Sequence, residues 1–333
     1  LAPINGRLGG TWEITSCDPN ALTLDYCDCW FDGALFRRNC PVNNIQEEAC
    51  KFGRAVRVDM EFHVQVAEKP EGPLYLVLET PEKFTVSVNG KAIPGRDCGW
   101  YRDKSFRKLE VTEAIAVGDN IIRLSVDFVQ SKEVYENIKK SLIFESEKNK
   151  LTYDTEIEAI YLIGDFGVKT PGSFTVLPKQ AVRYEGDFAV TKRPAVVREG
   201  SLAEQGFPFF AGRVVLKSIV SLKADECEGR SLCFTERCAT IVKVRVNGKD
   251  AGTILWQPYE ADLSGLLHEG DNELEVELVG NLRNLLGPHH LSSGESYAVG
   301  PHCFFEYSDI WAGGKNPDWN DGYVFVKSGL YLK

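Results

Sequence analysis

One strand and turn pattern occurs twice in this chain, with its parts in the same order. Phe84-Thr85-Val86-Ser87-Val88-Asn89-Gly90-Lys91 is echoed by Val242-Lys243-Val244-Arg245-Val246-Asn247-Gly248-Lys249. A tryptophan follows each Asn-Gly, Trp100 and Trp256, and then a short segment, Leu109-Glu110-Val111-Thr112 or Ala261-Asp262-Leu263-Ser264. A Gly-Asp-Asn turn closes each copy, at 118–120 and 270–272, and leads into a further alternating strand. Asn-Gly supplies the positive backbone dihedrals of a type I′ hairpin, which explains either copy alone but not four matched landmarks in one order. The pattern predicts two β-sandwich units of one type, residues 1–195 and 196–333, meeting in the polar stretch Thr191-Lys192-Arg193-Pro194-Ala195.

The rest of the chain agrees with that class. Period-two alternation marks Ala55 to Phe62, Ile121 to Val126 and Glu273 to Leu278, as half-buried antiparallel strands require. A single short helix is expected over 131–144, where Val134, Ile138, Leu142 and Ile143 share one side. There is no strand-helix rhythm, which excludes a doubly wound sheet or an α/β barrel inside these residues. At 333 residues with 43% hydrophobic content, the chain can build its cores without a metal or a disulfide staple.

Charge narrows the partners. With 38 basic against 48 acidic residues, the net charge of -10 opposes nucleic-acid binding. No apolar run approaches the ~20 residues that span a bilayer, so no membrane partner is expected. The only methionine is Met60, and we expect the chain to be a piece of a longer protein. The ten cysteines (17, 27, 29, 40, 50, 98, 227, 233, 238 and 303) lack zinc or Cys-X-X-Cys spacing and read as reduced thiols. No asparagine heads an Asn-X-Ser/Thr triplet, and with the thiols this leans toward a cytoplasmic, bacterial setting.

The repeated landmarks resemble the galactose-binding-like, jelly-roll sugar-binding domains of glycoside hydrolase family 2, with residues 244–278 the better copy. The block Asn281 to His290, with Gln205 to Gly212 before it, resembles the C-terminal region of large bacterial α-L-rhamnosidase-like glycoside hydrolases. The resemblance implies an all-β chain of two tandem jelly-roll sandwiches and a non-catalytic role. A catalytic domain upstream would be braced by these sandwiches, and carbohydrate would be a partner. A stand-alone carbohydrate-binding or adhesion module is the alternative, and a self-sufficient glycosidase a third reading. No cofactor is implied; modules of this kind often hold a structural calcium, for which no ligands can be assigned.

Candidate carbohydrate-binding residues are Trp256, Arg283, Asn284, His289, His290, Trp311 and Trp319. Arg, Asn and His offer the forked and two-way hydrogen bonding that suits vicinal hydroxyls, while a tryptophan face complements the C–H face of a pyranose. Each has a plain alternative: Arg283 and Asn284 could tie a loop to backbone carbonyls, and Trp256 could close a sandwich mouth. On an extended backbone, His289 and His290 would point to opposite faces. Glu295, Glu306, Asp309, Asp318 and Asp321 crowd the C-terminal region, but sequence cannot show two carboxylates facing across a scissile bond. Asp165-Phe166-Gly167 copies a kinase tripeptide without the motifs that give it meaning.

Overall fold

In the computed structural model, which describes residues 1–235 and 239–333, the chain is all-β with few helices and two separate apolar cores. Cys238 lies outside the described residues.

The first core is enclosed between two sheets. One runs Trp100–Tyr101, Asp103–Glu110, Leu74–Leu78, Ile160–Gly164, Asn20–Leu24. The other is centred on Val56–Val66, paired antiparallel with Gly118–Phe128, which in turn pairs with Thr85–Val88. Alternation does the sorting here. Val58 lies opposite Val126, Met60 opposite Leu124 and Phe62 opposite Ile122, all turned inward. The second core repeats the plan: Arg213–Leu222 pairs with Gly270–Val279, which pairs with Ile241–Val246 and, through it, Lys249–Ile254. The facing sheet holds Arg230–Cys233 against Glu260–Asp262, as Leu74–Leu78 stands against Asp103–Glu110 in the first.

The repeated asparagines explain why the two units share landmarks. Asn89 and Asn247, both at φ 51° and each followed by a left-handed glycine, close equivalent hairpins. Asn89 Nδ2 donates to Asn120 Oδ1 at 2.8 Å, and Asn247 Nδ2 to Asn272 Oδ1 at 2.9 Å. The receiving asparagines are buried, and each returns its own amide to two backbone carbonyls: Ala116 and Gly118 in one unit, His268 and Gly270 in the other. Each thus satisfies backbone groups that the Gly-Asp-Asn turn would leave unpaired inside the protein.

The chain ends cross between the units. Thr11–Cys17 pairs with Arg213–Leu222, placing fully buried Trp12 in the second core. Near the C-terminus, Tyr323–Val326 pairs with Ala181–Glu185 and sends Phe325 into the first core, and Gly329–Leu330 then returns to Gly200–Ser201 with Leu330 in the second. The Asn20 side chain donates to Phe166 O and Gly206 O, both at 2.9 Å, binding the connection between the units. Segments from both ends of the chain thus contribute strands on either side of residue 195.

The helix anticipated at 131–144 runs Lys132–Ser141, capped by the Ser131 hydroxyl on Val134 N–H, and ends before Leu142 to Phe144, which are exposed. A nine-residue helix, Val42–Cys50, was not legible in the sequence; it buries Val42, Ile45, Ala49 and Cys50 along one side. Among the described residues no helix is long and apolar enough to cross a membrane.

Candidate functional site

The short helix Arg283–Leu286 ends at Gly287, whose φ of +87° turns the chain toward the first sandwich. His289 and His290 then converge on one carboxylate, Asp25, which follows the strand Asn20–Leu24. His290 Nε2 lies 3.0 Å from Asp25 Oδ2 and His289 Nδ1 lies 3.6 Å from the same oxygen. The rings use different nitrogens, and this is how neighbouring residues serve one acceptor. Tyr323 donates its hydroxyl to Asp25 Oδ1 at 2.6 Å.

The remaining ring nitrogens face backbone carbonyls. His289 Nε2 is 2.9 Å from Asn284 O and His290 Nδ1 is 3.0 Å from Gly322 O. Burial alone would raise Asp25. The charge of His290 and the contacts of both imidazoles outweigh it and hold the carboxyl well below the usual range. Burial and the neighbouring Asp25 charge push the Tyr323 phenol far up, so it stays a donor, and burial lowers His289. Held ionised, Asp25 cannot act as a proton donor near neutrality.

Arg283 and Asn284 are engaged within the chain. Arg283 reaches Glu295 through Nε at 2.8 Å and Nη2 at 2.7 Å. Asn284 clamps Val326 as a strand would, donating to its carbonyl at 2.9 Å and accepting from its N–H at 2.8 Å. Trp319 lies over His290 with centroids 4.7 Å apart and donates Nε1–H to Asp321 Oδ1 at 3.1 Å; Tyr26 donates to the same oxygen at 3.2 Å. Of the seven candidate residues, His289 and His290 thus meet Asp25, Trp319 packs on His290, Asn284 offers its carbonyl to His289, and Arg283 pairs with Glu295. The other two lie elsewhere: Trp311 lines a separate pocket, and Trp256 stands 71% exposed beyond the strand Lys249–Ile254. Asp25, Tyr26 and Tyr323 had no signal in the sequence, since nothing local marks them as partners of His290.

A cleft of about 800 Å³ opens beside this cluster, lined by Asp25, Tyr26, Asp28, Asp187, Phe188 and Asp321 among others. Asp28 is held by Arg38 at 2.6 Å and lies 3.6 Å from His63. The described residues contain no group of three or more His, Cys, Asp or Glu side chains placed to hold a metal ion. The nine described cysteines are free thiols, and burial pushes Cys17, Cys40 and Cys50 up to about 12, which makes them poor nucleophiles.

No family model and no curated protein matches the chain. Among solved structures it is similar to a glycosyl hydrolase family 2 member from Bacteroides cellulosilyticus (11% identity, TM-score 0.29, 78% of this chain and 32% of that one). It is also similar to the Streptomyces avermitilis α-L-rhamnosidase complexed with L-rhamnose (12%, 0.31, 93% and 29%) and to the β-D-mannosidase from Dictyoglomus thermophilum (12%, 0.29, 85% and 33%). The chain spans about a third of the length of these proteins. Likeness this weak carries no conclusion about what the chain binds.

Proposed function

We propose that this chain is a non-catalytic β-sandwich region of a glycoside hydrolase, bracing a catalytic domain held elsewhere in the protein and binding carbohydrate. The observation that supports this most is the twinned asparagine clamp. The same side-chain contact recurs at equivalent hairpins, which supports two units built on one strand frame of the kind that the sequence landmarks resemble. The fate of the Arg283 to His290 block fits the same reading. Its polar groups are spent on Glu295, Val326 and Asp25, so the block fastens the C-terminal segment to the first sandwich.

The test is retention of the chain on a glycan array alongside an assay on aryl glycosides. Retention without hydrolysis is expected. Hydrolysis abolished by removing a single carboxylate would overturn the reading. Trp256 presents its ring to solvent, and an aromatic ring stacked on another ring contributes roughly 0.5–1.5 kcal/mol, the scale expected for its stack on a sugar. Trp256→Ala should therefore weaken retention by about 2- to 12-fold with no shift in thermal midpoint. Unchanged retention would remove Trp256 from the binding surface.

A further inference from the structure

Away from the Asp25 cluster, a pocket of about 400 Å³ opens between the helix Val42–Cys50, the strand Asp103–Glu110 and residues 301–311. Its walls carry Phe106, Tyr153, Tyr161, Phe304, Phe305 and Trp311. Phe62, Phe128 and Phe166 are fully buried in the first core, whereas Phe106, Phe304, Phe305 and Trp311 are half-buried and gather around this hollow. Concave aromatic surface with a few fixed polar groups is the usual form of a small-molecule site.

Most of the polar groups are already used to hold the walls. Glu47 accepts from the Ser308 hydroxyl at 2.6 Å and from Asp309 N–H at 2.7 Å, Gln46 accepts from Ile157 N–H at 2.8 Å, and Asn43 donates to Phe304 O at 3.2 Å. The Ser308 hydroxyl in turn accepts from Trp311 N–H at 2.8 Å, which fixes the start of the tryptophan's loop. Glu158 is different. Among the described residues its carboxylate has no hydrogen bond and no ion pair, and no Lys or Arg lines the pocket. Partial desolvation, together with the neighbouring charges of Glu79 and Glu156, pushes it up to about 7, although its side chain still reaches solvent. Lys83 acts on Glu156 rather than on Glu158 and gives its ammonium to Asp154 O.

We infer that the pocket recognises an amino sugar, a pyranose whose apolar C–H face lies on Trp311 and the adjoining rings while its ammonium group pairs with Glu158. This rests on the carbohydrate-binding reading above and narrows it. Aromatic faces carry negative potential and favour a cation, the unpartnered Glu158 carboxylate favours it further, and both oppose a uronate. The ammonium supplies the counter-charge that Glu158 lacks in the pocket wall.

The test is titration of the full chain at neutral pH with D-glucosamine, D-glucose and D-glucuronate, followed by isothermal calorimetry and by the indole resonance of Trp311. Glucosamine should bind about tenfold more tightly than glucose, a difference of about 1.4 kcal/mol, and glucuronate should not bind. Glu158→Gln should bring glucosamine down to the glucose affinity, and Trp311→Ala should weaken both; thermal midpoints of the variants control for folding. Equal affinity for glucosamine and glucose, unaffected by Glu158→Gln, would overturn the inference while leaving carbohydrate binding intact. Tetramethylammonium binding as tightly as glucosamine would overturn the sugar half. Retention on the glycan array with none of the three sugars moving the Trp311 resonance would also sink the inference alone. Failure on the array as well would remove the parent reading.

Discussion

Replacing Asn272 with Ala is expected to cost about 3 kcal/mol of folding free energy, read as a shift in urea midpoint at unchanged slope. The side chain is completely buried. It accepts from Asn247 Nδ2 and from His268 N–H, both at 2.9 Å, and donates to the carbonyls of His268 and Gly270. Alanine leaves these groups without partners where water cannot replace them, at about 1–3 kcal/mol for each buried group left unsatisfied. Trp12, in the same core, gives an intrinsic fluorescence report on this unit. Asn120→Ala should produce a loss of like size in the first unit, because Asn120 accepts from Asn89 and Ala116 N–H in the same way. The two asparagines belong to separate cores, so their effects should add in the double variant. A loss below about 0.5 kcal/mol in either would mean that the clamp is incidental to the turn.

Removing Asp25 should be at least as damaging. Asp25→Ala leaves His290, His289 and the Tyr323 hydroxyl facing an empty site, and stripping one partner from a buried pair costs about 3–5 kcal/mol. The acid limb of the stability profile carries a sharper signature. Asp25 is held below its unfolded value of about 3.9, so between the two values the unfolded chain binds more protons. Its contribution is complete above the unfolded value and is lost as pH falls through the folded one. Asp25→Asn, which keeps the shape and removes the charge, should flatten that limb. A profile as steep as the parent's would show that the carboxylate is not ion-paired in solution.

Structure that is decided locally is legible in the order of residues. Val56 to Val66 alternates because every second side chain enters the core, and that pattern survives in the order of residues alone. The nine-residue helix Val42–Cys50 escaped because its buried positions, two turns long, sit among Asn, Gln and Glu between strands. Trp256 was named from its place in the repeat, and the structure leaves its ring in solvent. Arg283 and Asn284 take Glu295 and Val326 as partners, residues 12 and 42 positions along the chain that no local pattern marks.

The sequence by itself determined an all-β chain, its alternating strands and its Asn-Gly hairpins, because these follow from backbone dihedrals and from a period of two over a few residues. Only the tertiary structure decided that Asp25 would meet His290 across 265 residues, that the N-terminal strand would complete the second sheet, and that Glu158 and Trp311 would share a pocket. Contacts over such separations depend on how sheets stack and where loops close. No local pattern of polar and apolar residues encodes that geometry.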